Sequence, residues 1–194
     1  MKKLSKSDIY SLEDYEMLRP EFRAKVLEHK RHRNIRVGEN ATLYFEDRMT
    51  MHYQVQEMLR AERVFTAEGI QDELDAYNPL IPDGSNLKAT FMLEYVEVDE
   101  RRKALAGMIG IEHRVWLKVG DHDHVWAIAN DDLERSTDEK TSSVHFLRFQ
   151  LTSEMVQTLK GGAPVAVGIE HQRYCHQVDP VPEAMWAALA ADLD

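Results

Sequence analysis

Residues 54–65, QVQEMLRAERVF, put a carboxylate where a helix would ordinarily carry a leucine. At roughly 100° per residue, Met51, Val55, Met58 and Phe65 fall on one side of a helix and Glu62 lands in the middle of that stripe. Removing an unpartnered carboxylate from water is expensive, so an arginine, a helix N-terminus, a metal or a retained proton has to compensate. Gln54 and Ala61 flank the stripe and Glu57 lies further round. Downstream, ELDAYN supplies Glu73, Asp75, Tyr77 and Asn78, with Glu73 beside the apolar face of Ile70, Leu74 and Tyr77. If the two helices fold back on each other at Phe65-Thr66, Glu62 and Glu73 approach one another or share a cation. Two neighbouring carboxylates imply acid–base chemistry or a metal. The alternative is a buried ion pair with Arg19, Arg23, Arg60 or Arg148 that fixes how the helices meet and catalyses nothing.

Other constellations are weaker. His122 and His124 form an H-x-H, and alternate residues on a strand point the same way, so both imidazoles could reach one metal; a polar turn accounts for the same letters. His145 shares its strand face with Leu147, Phe149 and Leu151 and is expected to be a satisfied core histidine. Cys175, the single cysteine, is expected to be a small packed side chain, and a catalytic pair with His176 is disfavoured because neighbours on a strand face opposite ways. A lone cysteine excludes a disulfide or a cysteine-based metal site within one chain. The run HKRHR at 29–33 resembles a nucleic-acid arm, yet cations at a helix C-terminus are the ordinary reading. Nucleotide-loop, nucleophile-elbow and zincin motifs are absent.

The elements that would position these residues follow from period and punctuation. Ser11 and Asp14 make an approximate capping box; Pro20 is expected to break that first helix and start a second stretch through Val26 and Leu27. Residues 35–46 suit a hairpin around Gly38-Glu39-Asn40, and the helix carrying Glu62 runs from about 50 to 63. Thr66 caps another helix, closed by Asn78-Pro79, and PLIPDGSN is a loop. Strict alternation over 87–96 predicts a half-buried strand, followed by a short helix at about 98–108. RVWLKVGDHDHVWAIA predicts two strands about Gly120-Asp121, NDDLERSTDEKTS a solvated loop, and VHFLRFQL another strand. A helix capped by Thr152 or Ser153, a hairpin PVAVGIEH and YCHQV, and a last helix from about Pro182 complete the chain. The expected fold is α+β, a mainly antiparallel sheet packed with several amphipathic helices. Its 194 residues suit one domain, helical at about 7–80, sheet-rich at about 87–180 and ending in a helix at about 182–192.

With 24 basic and 34 acidic residues the net charge is −10, which opposes binding to nucleic acid or to anionic membrane surfaces. No apolar run of about 18 residues occurs and the N-terminus lacks a signal-peptide core, so a cytoplasmic location is expected.

The stretches KLSKSDIYSLEDYEMLRPEFRAKV, LYFEDRMTMHYQVQEMLRAER, ELDAYNPLIP and VHFLRFQLTSEMVQTLKGGAP resemble a bacterial family known as domain of unknown function 3501, over nearly the whole chain. The resemblance implies a small soluble protein often encoded near a rubrerythrin-like protein and an iron–sulfur protein similar to heterodisulfide reductase subunits, hence a redox or peroxide-defence setting. It carries over no catalytic residue. The polar letters of its most recognisable block are Gln54, Gln56, Glu57, Arg60, Glu62 and Arg63 here, and GDHDHV fits its pattern poorly. The expectation is therefore an accessory or binding protein of a cytoplasmic redox or oxidative-stress system, without a resident cofactor. Its candidate contact residues are Gln54, Glu57, Arg60, Glu62, Glu73, Asp75, Tyr77 and Asn78, and a rubrerythrin-like or iron–sulfur protein is the expected partner. The alternative is a metal-dependent enzyme or iron-handling protein, with iron or manganese on Glu57, Glu62, Glu73 and a histidine.

Overall fold

The first helix begins where Ser11 accepts a hydrogen bond from the Asp14 N–H at 3.0 Å and donates its hydroxyl to the Asp14 carboxylate at 2.9 Å. In the computed structural model, which describes residues 1–129 and 140–194, this helix is α1, Leu12–Lys30. The expected break at Pro20 does not occur. Proline removes one backbone hydrogen bond, but contacts to the next helix hold α1 on both sides of it: Tyr15 and Arg19 before, Phe22 after.

The hairpin at Gly38 is present: β1 (Asn34–Arg36) pairs antiparallel with β2 (Ala41–Glu46), Ile35 opposite Leu43. Gly38 has φ 76° and lies so close to the Tyr174 hydroxyl and the His176 ring that no side chain would fit. Asp47 then caps α2 (Arg48–Glu62): its carboxylate accepts from the Thr50 N–H at 2.8 Å, and the Thr50 hydroxyl accepts from the Asp47 N–H at 2.9 Å. Arg63, in the left-handed conformation at φ 55°, ends that helix, and Thr66 caps α3 (Ala67–Tyr77).

The remaining elements are β3 (Asn86–Leu93), α4 (Val98–Gly107), β4 (Val115–Val119), β5 (Val125–Trp126), β6 (Ile128–Ala129), β7 (Val144–Gln150), α5 (Ser153–Lys160), β8 (Val165–His171), β9 (Tyr174–Val178) and α6 (Glu183–Ala190). They build an α+β fold with two antiparallel sheets, ordered β1-β2-β3-β7-β6 and β5-β4-β8-β9. HVWAIA is not one strand: β5 pairs with β4, β6 pairs with β7 in the other sheet, and Ala127 between them donates its N–H to Val115. Leu87, Ala89, Phe91 and Leu93 point inward as their alternation predicts, joining Leu43, Leu147, Phe149, Leu117 and Val167 in a core shared by both sheets. A second apolar cluster, Met51, Val55, Leu59, Leu74, Ile81 and Leu4, lies among the helices. Of the stretch expected to be a charged loop, residues 130–139 lie outside the described residues.

At the junction between helices and sheets sits a buried ionic network. Arg33, 2% exposed, donates to the carbonyls of Phe45 (3.1 Å) and Glu46 (3.4 Å), lies 3.4 Å from the Asp47 carboxylate and contacts Asp192, which follows α6. His29 Nε2 hydrogen-bonds Asp47 from the last turn of α1. The expectation that HKRHR places its cations at a helix C-terminus is thus corrected for Arg33. The helix stops at Lys30, so Arg33 falls in strand phase with the inward-facing Ile35 and Val37.

Replacing Arg33 by leucine leaves the buried Asp192 without its cation and Asp47 with only His29 and the Thr50 N–H, and a loss of about 3–5 kcal/mol is expected in urea denaturation; a loss under about 1 kcal/mol would show that water reaches the site. Burial pushes the Asp192 carboxyl up to about 6, with the Asp47 charge adding to the effect. Unfolded aspartate titrates near about 4, so between about 4 and 6 the folded chain holds this proton more tightly. Stability contributed at Asp192 therefore falls as pH rises through that window and levels off above it. Asp192→Asn should remove this fall, read as thermal midpoints of the two proteins from pH 4 to 7.

Candidate functional site

The acid of α2 that finds a partner is Glu57, not Glu62. Glu57 Oε1 accepts from the buried Tyr15 hydroxyl at 2.6 Å and from Arg19 Nε at 2.7 Å, while Oε2 accepts from Arg19 at 2.8 Å. The Arg19 fork first, and the tyrosine hydroxyl with it, hold the Glu57 carboxyl down at about 2 despite partial burial. Burial, with the Glu57 contact second, raises the Tyr15 hydroxyl above its ordinary value. One turn on, Arg60 pairs with Glu16 at 2.7 Å on the surface. These pairs clamp α1 to α2.

Glu62 is exposed, which corrects the expectation of a desolvated carboxylate. Glu73, on the facing side of α3, is half-buried. Burial raises its carboxyl, and the charges of Glu62 and Asp72 raise it further, so the two glutamates of the expected pair do lie within electrostatic reach. Asp75 accepts from the Gln71 amide at 2.9 Å, and Tyr77 packs on the helical cluster. Asn78 ties down the N-terminus: it accepts from the Leu4 N–H (2.8 Å) and donates to the Leu4 carbonyl (3.0 Å). Gln54 is half-buried on α2.

The H-x-H does not converge. Residues 121–124 form a turn, so strand parity does not apply: His122 Nε2 lies 3.0 Å from Thr158 Oγ1, whereas His124 stacks flat on Trp116 with ring centres 3.9 Å apart. Cys175 is exposed on β9 rather than packed. His145 is a satisfied core histidine, its Nε2 within 2.9 Å of Thr141 Oγ1 and 3.0 Å of the Ser142 carbonyl. Among the described residues no group of three or more His, Cys, Asp or Glu side chains could hold a metal ion.

Beside these residues an apolar groove of about 310 Å³ opens where α2 turns into α3. Its walls include Ile9, Leu12, Leu59, Val64 and Ile70, and Phe65 stands on its edge with 77% of its surface exposed. Thr66 as cap and Arg63 as left-handed residue fix the tight connection that lifts Phe65 clear. Lys6 and Glu13 line the groove, and Glu62 and Glu73 belong to the two helices that form it. Helical phase puts Phe65 in the apolar stripe only if α2 continues past Arg63, and it does not, so the groove has no signal in that pattern. The same pattern gives no role to Gln56, fully buried, whose Oε1 accepts from the Tyr10 N–H at 2.7 Å.

A family model described as protein of unknown function (DUF3501) matches residues 3–193. The chain belongs to this family. A crystal structure described as a novel protein of unknown function from Burkholderia pseudomallei K96243 is 48% identical to it, with a TM-score of 0.95 and full coverage of both chains. No curated protein matches the chain. The family model spans both the α1–α2 clamp and the groove.

Glu57→Ala leaves the Tyr15 hydroxyl buried without its acceptor and should cost about 1–3 kcal/mol. Glu62→Leu should stay within about 0.5 kcal/mol of the parent. Chemical denaturation of both variants checks the pair, and equal losses would contradict the assignment of Glu57 as the partnered acid.

Proposed function

We propose that this member of the family is a binding protein that docks another protein at the corner between α2 and α3 and acts as an accessory of a cytoplasmic redox or oxidative-stress system. The observation that carries the docking is Phe65. A phenylalanine exposed to 77% beside an apolar groove keeps apolar surface in water in the free chain, and a partner that covers it removes that surface from water with a gain in free energy. Aromatic anchors of this kind, set in an apolar centre with a charged rim, supply most of the energy of protein interfaces.

Lys6 and Glu13 balance each other in the groove wall, so the preference for a basic partner rests on Glu62, Asp72 and Glu73 beside it. Glu62 and Asp72 already push the half-buried Glu73 carboxyl up, and cationic side chains brought to the same corner relieve that repulsion. The chain's net charge of −10 adds long-range attraction for such a partner. The redox setting rests on the family resemblance alone, and it selects rubrerythrin-like and iron–sulfur proteins as the first partners to titrate. Glu62 and Glu73 belong to no group of three or more metal-binding side chains among the described residues, and no observation favours iron or manganese over docking.

Phe65→Asp leaves the fold intact, since the side chain packs into neither core cluster, and abolishes docking. Titration of purified rubrerythrin-like and iron–sulfur proteins against the parent chain should give a saturable complex weakened at least tenfold by Phe65→Asp and weakened by added salt. Equal affinity of parent and variant for every partner bound would overturn the assignment of this corner.

A further inference from the structure

On the face of the five-stranded sheet turned away from the shared core, Lys88 of β3 stands directly opposite Arg148 of β7. Like charges at opposed positions of neighbouring strands oppose pairing, and a chain with 34 acidic residues had other choices there. A third cation joins them: Lys3 donates to the carbonyls of Asn78 (2.8 Å) and Ile81 (2.6 Å), and Lys88 donates to Pro79 and to the same Ile81 oxygen at 3.1 Å. Two ammonium groups therefore share one acceptor. None of the three has an ion pair among the described residues. Glu46, opposite Lys88 on its other side, instead accepts from the Thr90 hydroxyl at 2.7 Å, and Arg148 donates to the neutral Gln150 amide at 2.6 Å. Asp83 acts on Lys3 and Lys88 through its charge without contacting either. Burial lowers both lysines, and the charges of Lys3 and Arg148 lower Lys88 further.

Two of the three cations, Lys88 and Arg148, open onto a cavity of about 160 Å³ between the turn at 79–80 and the sheet. Lys88 and Arg148 line one part of it; Ile128, Phe146, Leu80 and Pro79 supply apolar walls. That volume matches about five waters of the bulk liquid, so the occupant is small. A cation row alone would take any anion. Apolar walls beside it favour an anion with hydrocarbon attached, and the planar Arg148 fork matches a carboxylate.

We propose that this cavity binds a small organic carboxylate, the carboxylate on Arg148 and Lys88 and a short hydrocarbon tail between Ile128 and Phe146. The site is separate from the α2–α3 corner and does not depend on the docking proposed there.

The test is a chemical-shift titration of the full ¹⁵N-labelled chain with butyrate, with 1-butanol as the uncharged counterpart and inorganic phosphate as the anion without a tail. Butyrate should give saturable shifts at Ile128, Phe146 and Lys88, with a dissociation constant at least fivefold below those of butanol and phosphate. Arg148→Gln should weaken butyrate binding at least fivefold. This variant removes only a bond to the exposed Gln150 and is expected to fold, whereas Lys88 also holds the 79–81 carbonyls. In the parent chain, butyrate should also raise the Lys88 side-chain titration. Absent or unsaturable shifts would overturn the proposal. So would phosphate binding as tight as butyrate, which marks an indiscriminate cation patch, or unchanged affinity in folded Arg148→Gln.

Discussion

One guanidinium holds the helical layer on the sheets. Arg33 belongs to the turn leaving α1, Asp47 is the residue that starts α2, and Asp192 follows the last helix, so a single buried cation joins three segments far apart in sequence. Such a network is costly to dehydrate, and a well-packed apolar replacement would often serve stability equally well. What it provides is geometry. The planar fork, satisfied by the Phe45 and Glu46 carbonyls as well as by carboxylates, donates in fixed directions only. Asp47 thereby ties the start of α2 to the sheet, and the Glu57 clamp, one helical face further on, sets α1 against it.

The parts of this arrangement that were legible in the sequence are those decided locally. Ser11, Thr66 and Thr152 each accept from the backbone N–H three residues on, as a short side-chain oxygen at a helix start must. The alternation of Leu87, Ala89, Phe91 and Leu93 placed β3 because one face of the sheet meets a core and the other does not. Satisfied core histidine and hairpin pairs followed from the same parity.

The candidate site was less legible, and Glu62 shows why. A helical wheel assigns an angle to each residue but is silent about how far along the axis a neighbour reaches. Phe65 was counted in the stripe, yet it lies beyond Arg63, whose left-handed conformation takes the chain out of the helix. Including it rotated the apparent apolar face toward Glu62. Met51, Val55 and Leu59, spaced by four, mark the face that is buried, and Glu62 sits in the final turn where no other element covers it. Arg33 failed in the reverse sense: a run of five cationic letters hides the point at which period 3.6 gives way to period 2, and only the inward parity of Ile35 and Val37 reveals that one of them must be buried. The paired histidines were read with strand parity inside what is a turn.

The electrostatics of the two proposed sites work over different ranges. Attraction of a basic protein to the α2–α3 corner adds to the pull of the whole acidic surface, so it acts before contact and weakens as salt shortens the screening length toward about 8 Å at physiological strength. The cation row at Lys88 and Arg148 works against that same surface. An anion is repelled until it comes within a few ångströms, where Lys88 and Arg148, which have no ion pair among the described residues, outweigh the distant charge. Selectivity there therefore arises from contact, with the apolar walls deciding which anions stay, and binding is weak in rate terms because nothing steers the ligand in. A folded chain that tolerates opposed like charges on adjacent strands keeps them under tension that added anion releases, and that release is stabilisation drawn only from bound ligand.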